Sequence, residues 1–239
     1  MRIWPASLLL LLTVGLAVAE PFQTLYVDAV WSKLTGSSTS QAYTTGLRQD
    51  DVDYYLTVTN NWSDTKGSDS LYQYTAQGTS LQAGARRWFS EKSWYGFVSA
   101  GPDVRGANSG ELDYRAGVVG FKQWQEGTRL ADLYGDMTFV HLSDDNAFLT
   151  LRPRLGHVLT QTTRSRTWVF GVAQLSASTD ANSGVANRLE AGVGVGYWSI
   201  VGQRSGLSAS VELRQGYSYR GAIADKFYFN PTVVIAGGF

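Results

Sequence analysis

Apolar and polar residues trade places at every step along most of this chain. In Gly206 to Tyr219, one parity carries Leu207, Ala209, Val211, Leu213, Tyr217 and Tyr219, and the other carries Ser208, Ser210, Glu212, Arg214, Gly216 and Ser218. Asn187 to Ser199 sets Leu189, Ala191, Val193, Val195 and Tyr197 against Arg188, Glu190 and three glycines. Phe227, Phe229, Pro231, Val233, Ile235 and Phe239 likewise share one parity at the C-terminal end. A period of two means strands with two unlike faces. Beyond residue 19 no apolar stretch is long enough for a membrane helix. A crossing of the membrane therefore needs strands closed into a barrel, because open sheet edges cannot face lipid. A soluble sandwich alternates too, but buries its apolar face. A membrane barrel turns that face to lipid and its polar face to the lumen.

The two ends decide between these. Met1-Arg2, the apolar run Leu8 to Val18 and the small residues Ala17-Val18-Ala19 have the layout of a secretory signal peptide, cleaved after Ala19. This predicts residues 1–19 as leader and 20–239 as one domain. The chain has no cysteine, which excludes disulfides, thiolate metal sites and lipid attachment through an N-terminal Cys. A terminal strand that stops on an aromatic, here Phe239, resembles the sorting signal of bacterial outer-membrane barrels. In that family the barrel-assembly machinery reads the last strand, and the final side chain is commonly Phe. The resemblance implies an all-β, up-and-down antiparallel barrel in the bacterial outer membrane, in contact with its lipids and exported through the signal peptide.

Polar punctuation sets the strand count. Short breaks fall at Ser90–Ser93, Gln125–Thr128, Thr162–Ser165 and Val201–Ser205, and longer ones at Ser63–Ser70, Asp103–Gly110, Ser143–Asn146, Ser178–Ala186 and Arg220–Asp225. Short breaks suit periplasmic turns and long ones suit extracellular loops. Strands are predicted near 23–34, 40–49, 51–62, 72–89, 93–103, 111–125, 128–142, 147–161, 166–178, 186–199, 206–219 and 226–239, twelve in all. Without the second of these, and with one further merger, the count becomes ten. Trp31, Trp62, Trp88, Trp94, Trp124, Trp168 and Trp198 all fall near strand ends, which predicts aromatic girdles at the headgroups.

The inward parity collects both signs of charge: Asp28, Asp53, Asp113, Asp132, Asp136, Glu190 and Glu212 with Arg86, Arg115, Arg152, Arg154, Arg188 and Arg214. Opposite charges across an antiparallel pair stabilise it. Asp136 is expected to face Arg152 or Arg154, and Glu190 to face Arg214 with Glu212 close by. Asp132, Asp136, Arg152, Arg154, Arg188, Glu190, Glu212 and Arg214 are the candidate lumen lining.

Catalysis finds little support. The chain has two histidines, His141 and His157, and both share parity with apolar residues. His141 and Ser143 could form an interfacial pair at a loop edge, the basis of a third reading as a lipid-acting barrel enzyme. Asp144-Asp145-Asn146 lacks a completing ligand set for calcium. Gly192-x-Gly-x-Gly196 is not followed by a helix and reads as lumen space or wall curvature rather than a phosphate loop. No cofactor is expected. Zero formal net charge gives no strong pull on nucleic acid.

Leu133-Tyr-Gly-Asp136 with Met137-Thr-Phe-Val140, followed by Leu149-x-x-Arg-x-Arg-Leu-Gly156, is similar to the C-terminal barrel of phage-adsorption protein A, a family related to exopolysaccharide-export barrels. The resemblance covers about two dozen residues. Those proteins carry a periplasmic helical-repeat region ahead of the barrel, whereas here only a few residues separate Glu20 from the first strand. Any such scaffold would be a separate periplasmic export partner. The expectation is a non-enzymatic channel or export conduit, with exopolysaccharide as its cargo. The rival is a non-conducting structural, adhesive or phage-receptor barrel acting through its extracellular loops.

Overall fold

The computed structural model describes residues 19–32, 36–64, 78–105, 110–141, 145–179, 187–201, 205–220 and 227–238. Their backbone forms β1 (Glu20–Ser32), β2 (Gly36–Gln49), β3 (Val52–Asp64), β4 (Gly78–Phe89), β5 (Trp94–Arg105) and β6 (Leu112–Glu126). It continues as β7 (Arg129–Val140), β8 (Asn146–Gln161), β9 (Ser165–Ser178), β10 (Arg188–Ile200), β11 (Gly206–Ser218) and β12 (Phe227–Gly238). Each strand pairs antiparallel with its sequence neighbours, and β1 closes the ring on β12 from Tyr26↔Gly238 to Ser32↔Thr232. The chain is a closed, up-and-down transmembrane β-barrel of twelve strands. The ten-strand alternative falls away, because β2 pairs with β1 from Gly36 to Arg48 and with β3 from Ser37 to Gln49. The leader, residues 72–77 of the fourth predicted strand, Ser143 and Phe239 lie outside the described residues.

Closure answers a backbone demand. Every strand finds a hydrogen-bonding neighbour on both sides, so no edge is left for the bilayer to solvate. Asp50-Asp51 links β2 to β3 and Gly127-Thr128 links β6 to β7. The first residue of each link is left-handed, Asp50 at φ 54° and Gly127 at φ 57°. Asp and Gly are residue types that enter this region at low cost, and a positive φ there matches the twist of a tight hairpin. These tight links lie at the barrel end that holds the start of β1. The long connections cluster at the other end.

Parity then sorts the side chains. Leu189, Val193, Val195, Val211, Leu213, Phe229 and Ile235 stand exposed on the outer wall, while their chain neighbours Glu190, Glu212, Arg214, Asn230 and Thr232 are buried inside. A soluble sandwich would bury the first set. Trp31 and Trp62 stand outward at the long-loop end, and Trp94 and Trp124 at the short-turn end, as two girdles require. Three of the seven expected girdle tryptophans point the other way. Trp88 donates its indole N–H to inward Asp53. Trp168 is buried against Phe170, and Trp198 packs on the same inward cluster. Nearness to a strand end does not fix which side of the wall a ring takes; its parity with Arg86, Phe170 and Gly196 does.

Candidate functional site: the lumen wall

The inward rows of this barrel build two polar networks on opposed parts of the wall. The first sits at the short-turn end of β1 to β5. Register sets Arg48 opposite Asp53, and Asp53 opposite Arg86. Fully buried Asp53 accepts from Arg48 Nε at 2.7 Å, Arg86 Nε at 2.8 Å and Trp88 Nε1 at 2.8 Å. Four rings surround the Arg86 guanidinium: Phe22 at 5.3 Å, Tyr55 at 5.7 Å, Trp88 at 5.0 Å and Tyr95 at 5.4 Å. Ring faces carry negative quadrupole, so this box holds the cation where one carboxylate serves two guanidiniums.

The second network lies toward the long-loop end of β9 to β12. Arg214 Nη1 reaches Glu190 at 3.0 Å and Gln174 at 2.8 Å, and its Nε donates to Glu212 at 2.7 Å, with Nη2 bonding Glu212 as well. Glu190 also accepts from Asn230 at 2.9 Å and from the Tyr228 hydroxyl at 3.1 Å. Arg188 comes within 3.8 Å of Glu190, and its Nε and Nη1 make no hydrogen bond. Glu190 is 1 % exposed and Arg214 3 %, so water reaches neither group in this arrangement. Smaller pairs link these regions: Arg154 donates to Asp132 at 2.8 Å, and Arg115 to Asp113 at 2.5 Å.

All eight candidate lining residues lie on the inward parity of β7, β8, β10 and β11. Glu190, Glu212 and Arg214 form one network as expected from their spacing. The expected partnership of Asp136 does not form. Asp136 accepts from the Tyr134 hydroxyl at 3.2 Å and from Thr138 at 2.5 Å, while Arg154 goes to Asp132. The cause is register: Asp132 stands opposite Arg154, whereas Asp136 stands opposite Thr150 and Tyr134 opposite Arg152. Arg152 is left 5.6 Å over the Tyr134 ring, with Nε unpartnered. Arg166, Gln123 and Gln125 join the lining without having stood out in the sequence. Arg166 donates to Gln125 at 2.8 Å and to Gln123 at 2.7 Å, reaching from β9 to β6. Nothing in local spacing signals that contact, because it bridges two intervening strands.

Large inward rings lie down over glycines on neighbouring strands. A Cβ built on Gly194 would come within 2.7 Å of the Phe170 ring, one on Gly84 within 2.8 Å of Tyr55, and one on Gly117 within 2.9 Å of Phe97. Trp168 covers Gly196 and Tyr228 covers Gly216 in the same way. The glycine parity of β10 therefore makes beds for aromatic side chains against the wall. On the lumen wall of β7 to β10 an apolar cluster of Leu130, Val158, Trp168, Phe170 and Val172 results, with Arg154 5.0 Å over the Phe170 ring.

The bonds named above run along the wall, and the longest, from Arg166, spans three strand positions of the twelve. At the short-turn mouth the interior is accessible. Tyr26 and Phe121 stand on inward rows, opposite Gly238 and Tyr134, yet each keeps 46 % of its surface exposed. Dense packing on β2 to β4 and on β9 to β12 leaves accessible rings on β1 and β6 between them.

At the long-loop end, outside the lumen, His141 Nδ1 lies 2.7 Å from Asp145 Oδ1 and its ring stacks 4.0 Å from Tyr114. No group of three or more potential metal ligands occurs among the described residues.

No protein-family model matches the sequence, and no curated protein does. Among solved structures, the chain is similar to the β domain of the Bordetella autotransporter BrkA at 12 % identity, covering 93 % of this chain and 99 % of that one, with TM-score 0.45. It is similar to a KdgM porin in complex with disordered oligogalacturonate at 11 % identity, covering 90 % and 98 %, TM-score 0.44. It is also similar to LpxR from Salmonella typhimurium at 9 % identity, covering 89 % and 99 %, TM-score 0.43. Likeness at this level concerns barrel shape and transfers no activity.

Proposed function

We propose that this chain is a bacterial outer-membrane channel or export conduit for a saccharide chain, with exopolysaccharide as the cargo its lining suits. The observation that carries the reading is the half-exposed state of Tyr26 and Phe121 on inward rows. Phe121 lies beside the β4–β5 turn, its N–H bonded to the Ser93 carbonyl, and Tyr26 lies opposite the last residue of β12, so these rings offer accessible faces at the short-turn mouth. Accessible aromatic faces beside hydroxyl, carboxamide and guanidinium groups are the chemistry that receives a sugar: rings take its C–H faces, and polar groups replace the water on its hydroxyls. Charge pairing along the wall holds the cationic and anionic groups in fixed places, so a neutral or acidic polymer meets a corrugated polar surface rather than one strong field.

Asp132, Asp136, Arg152, Arg154, Arg188, Glu190, Glu212 and Arg214 are assigned to that lining, with Tyr26 of β1 and Phe121 of β6 as its accessible rings. The barrel-assembly machinery is the proposed reader of the terminal strand and Phe239, and a separate periplasmic protein is the proposed source of the polymer. Refolded protein in a planar bilayer tests the reading. Stepwise conductance that falls when an oligosaccharide is added is the expected result. Silence at every voltage, from protein whose barrel is verified by circular dichroism, overturns it.

A further inference from the structure

At the short-turn end the outer wall carries Arg87, Lys122, Arg129 and His157, all on outward rows. Lys122 is engaged, with Glu91 at 3.3 Å and the Trp124 ring at 5.9 Å. Arg87, Arg129 and His157 are exposed and have no hydrogen-bond or ion-pair partner among the described residues. Arg129 is the first residue of β7 and stands directly opposite His157 of β8, so guanidinium and imidazole project from neighbouring strands at one level. Trp124 of the girdle stands opposite Ala131, one outward step from Arg129, which puts the pair among the headgroups. Arg87 stands opposite Val52, the first residue of β3.

Each of these basic points heads a bare groove in the wall. Outward Gly120 and Gly135 lie under the Trp94 ring, whereas Gly96 and Gly171 are uncovered. A Cβ on Gly96 would meet nothing nearer than 3.8 Å, and one on Gly171 nothing nearer than 3.9 Å. Gly171 floors a groove between Leu155, Val169, Val193 and Leu213, with His157 at its short-turn end. Gly96, directly opposite Arg87, floors the other, between Val98, Ala116 and Met137. Their volumes, 580 and 680 Å³, fall within the ~300–1,000 Å³ of ligand clefts. Register gives the first groove a direction. From Arg129 one ladder row runs through His157, Val169, Val195, Val211 and Val233 to Trp31 at the long-loop end. A chain that leaves Arg129 along this row therefore enters hydrocarbon.

We propose that each groove binds one phospholipid of the leaflet at the short-turn end, its phosphodiester on Arg129 with His157 or on Arg87 and an acyl tail over the bare glycine. Charge and depth choose this occupant. A guanidinium gives charge-assisted N–H bonds to phosphate oxygens, and an imidazole has an N–H to donate in either charge state. Glu126 stands opposite Arg129 across the hairpin with no ion pair between them, which places a carboxylate for the ammonium of an ethanolamine head. Both grooves open on the lipid side of the wall, where a soluble anion does not reach. A second copy about a two-fold axis there would set Arg129 against Arg129. The sites are independent of conduction: a barrel that passes no current can still hold these lipids.

Native mass spectrometry of the barrel in mild detergent, with dioleoyl phosphatidylethanolamine as the probe, tests this. The wild-type barrel should retain one lipid per groove. Arg129→Gln combined with His157→Gln should remove one, and Arg87→Gln the other, each site binding about tenfold more weakly for its lost charge-assisted bonds. Gly171→Leu, which fills a groove floor and keeps the charges, should match the double change. Lys122→Gln, whose cation is already engaged, should keep both lipids, and dioleoylglycerol, with the same tails and no phosphate, should not be retained. Heat-modifiable mobility verifies an intact barrel in every variant. Four results overturn the proposal: no lipid on the wild-type barrel, equal loss from Lys122→Gln, retention of dioleoylglycerol, or a second polypeptide bound in place of lipid.

Discussion

Glu190→Ala should destabilise the barrel by about 3–5 kcal/mol, the range for removing one member of a buried ion pair. Glu190 accepts from Arg214 at 3.0 Å, Asn230 at 2.9 Å and Tyr228 at 3.1 Å, and is the carboxylate nearest Arg188 at 3.8 Å. After truncation Arg214 keeps Glu212, but Arg188 loses its carboxylate and two neutral donors lose an acceptor. Each orphaned donor alone would cost about 1–3 kcal/mol, and such losses overlap within one network rather than add. Glu190→Gln keeps one acceptor and removes the charge, so it should fall between Ala and wild type. The assay is equilibrium denaturant unfolding in phospholipid vesicles, followed by tryptophan fluorescence, with the slope checked for constancy. A cost below about 1 kcal/mol for Glu190→Ala would refute the reasoning, because it would mean that lumen water already solvates these groups.

Gly194→Ala should destabilise by about 1–3 kcal/mol through overpacking, since its methyl would meet the Phe170 ring at 2.7 Å and the Val211 carbonyl oxygen at 2.9 Å. Gly171→Ala, whose new methyl would have no neighbour nearer than 3.9 Å, should be close to neutral in the same unfolding assay. Val193→Arg on the exposed outer wall should cost about 2–4 kcal/mol if that residue lies near the bilayer midplane; unfolding in vesicles against unfolding in detergent separates this lipid cost from local packing. Arg152→Glu should move the reversal potential in a salt gradient toward cation preference, and an unmoved potential would place Arg152 off the permeation path.

The alternation of β10, β11 and β12 declares both their faces and their span, because a one-residue slip would send Glu190, Glu212 and Arg214 into lipid. β2 is harder to read for a physical reason: its outward residues Thr39, Gln41 and Thr45 are as polar as its inward Ser38, Ser40 and Thr44, so the period-two contrast vanishes. Its predicted start at residue 40 falls four residues inside the observed start at Gly36. Trp88, Trp168 and Trp198 depart from the expected girdles because closeness to a strand end says less than parity. Their true side is written in the chain, as each shares parity with an inward Arg or Gly. The site is legible in part. Glu190 with Arg214 follows from face and spacing, whereas Asp136 with Arg152 fails because pairing depends on register to the residue. Contacts such as Arg166 with Gln123 depend on wall curvature and have no local trace.

A membrane barrel requires one parity of every strand to face lipid and the other to face the lumen, and β10 tests this directly. Single cysteines at residues 189 to 196 would be labelled with an environment-sensitive fluorophore in lipid vesicles and challenged with nitroxide-labelled lipid. Quenching should be strong at 189, 191, 193 and 195 and weak at 190, 192, 194 and 196. Uniform quenching, or strong quenching at the even positions, would contradict a barrel with its charged rows inside.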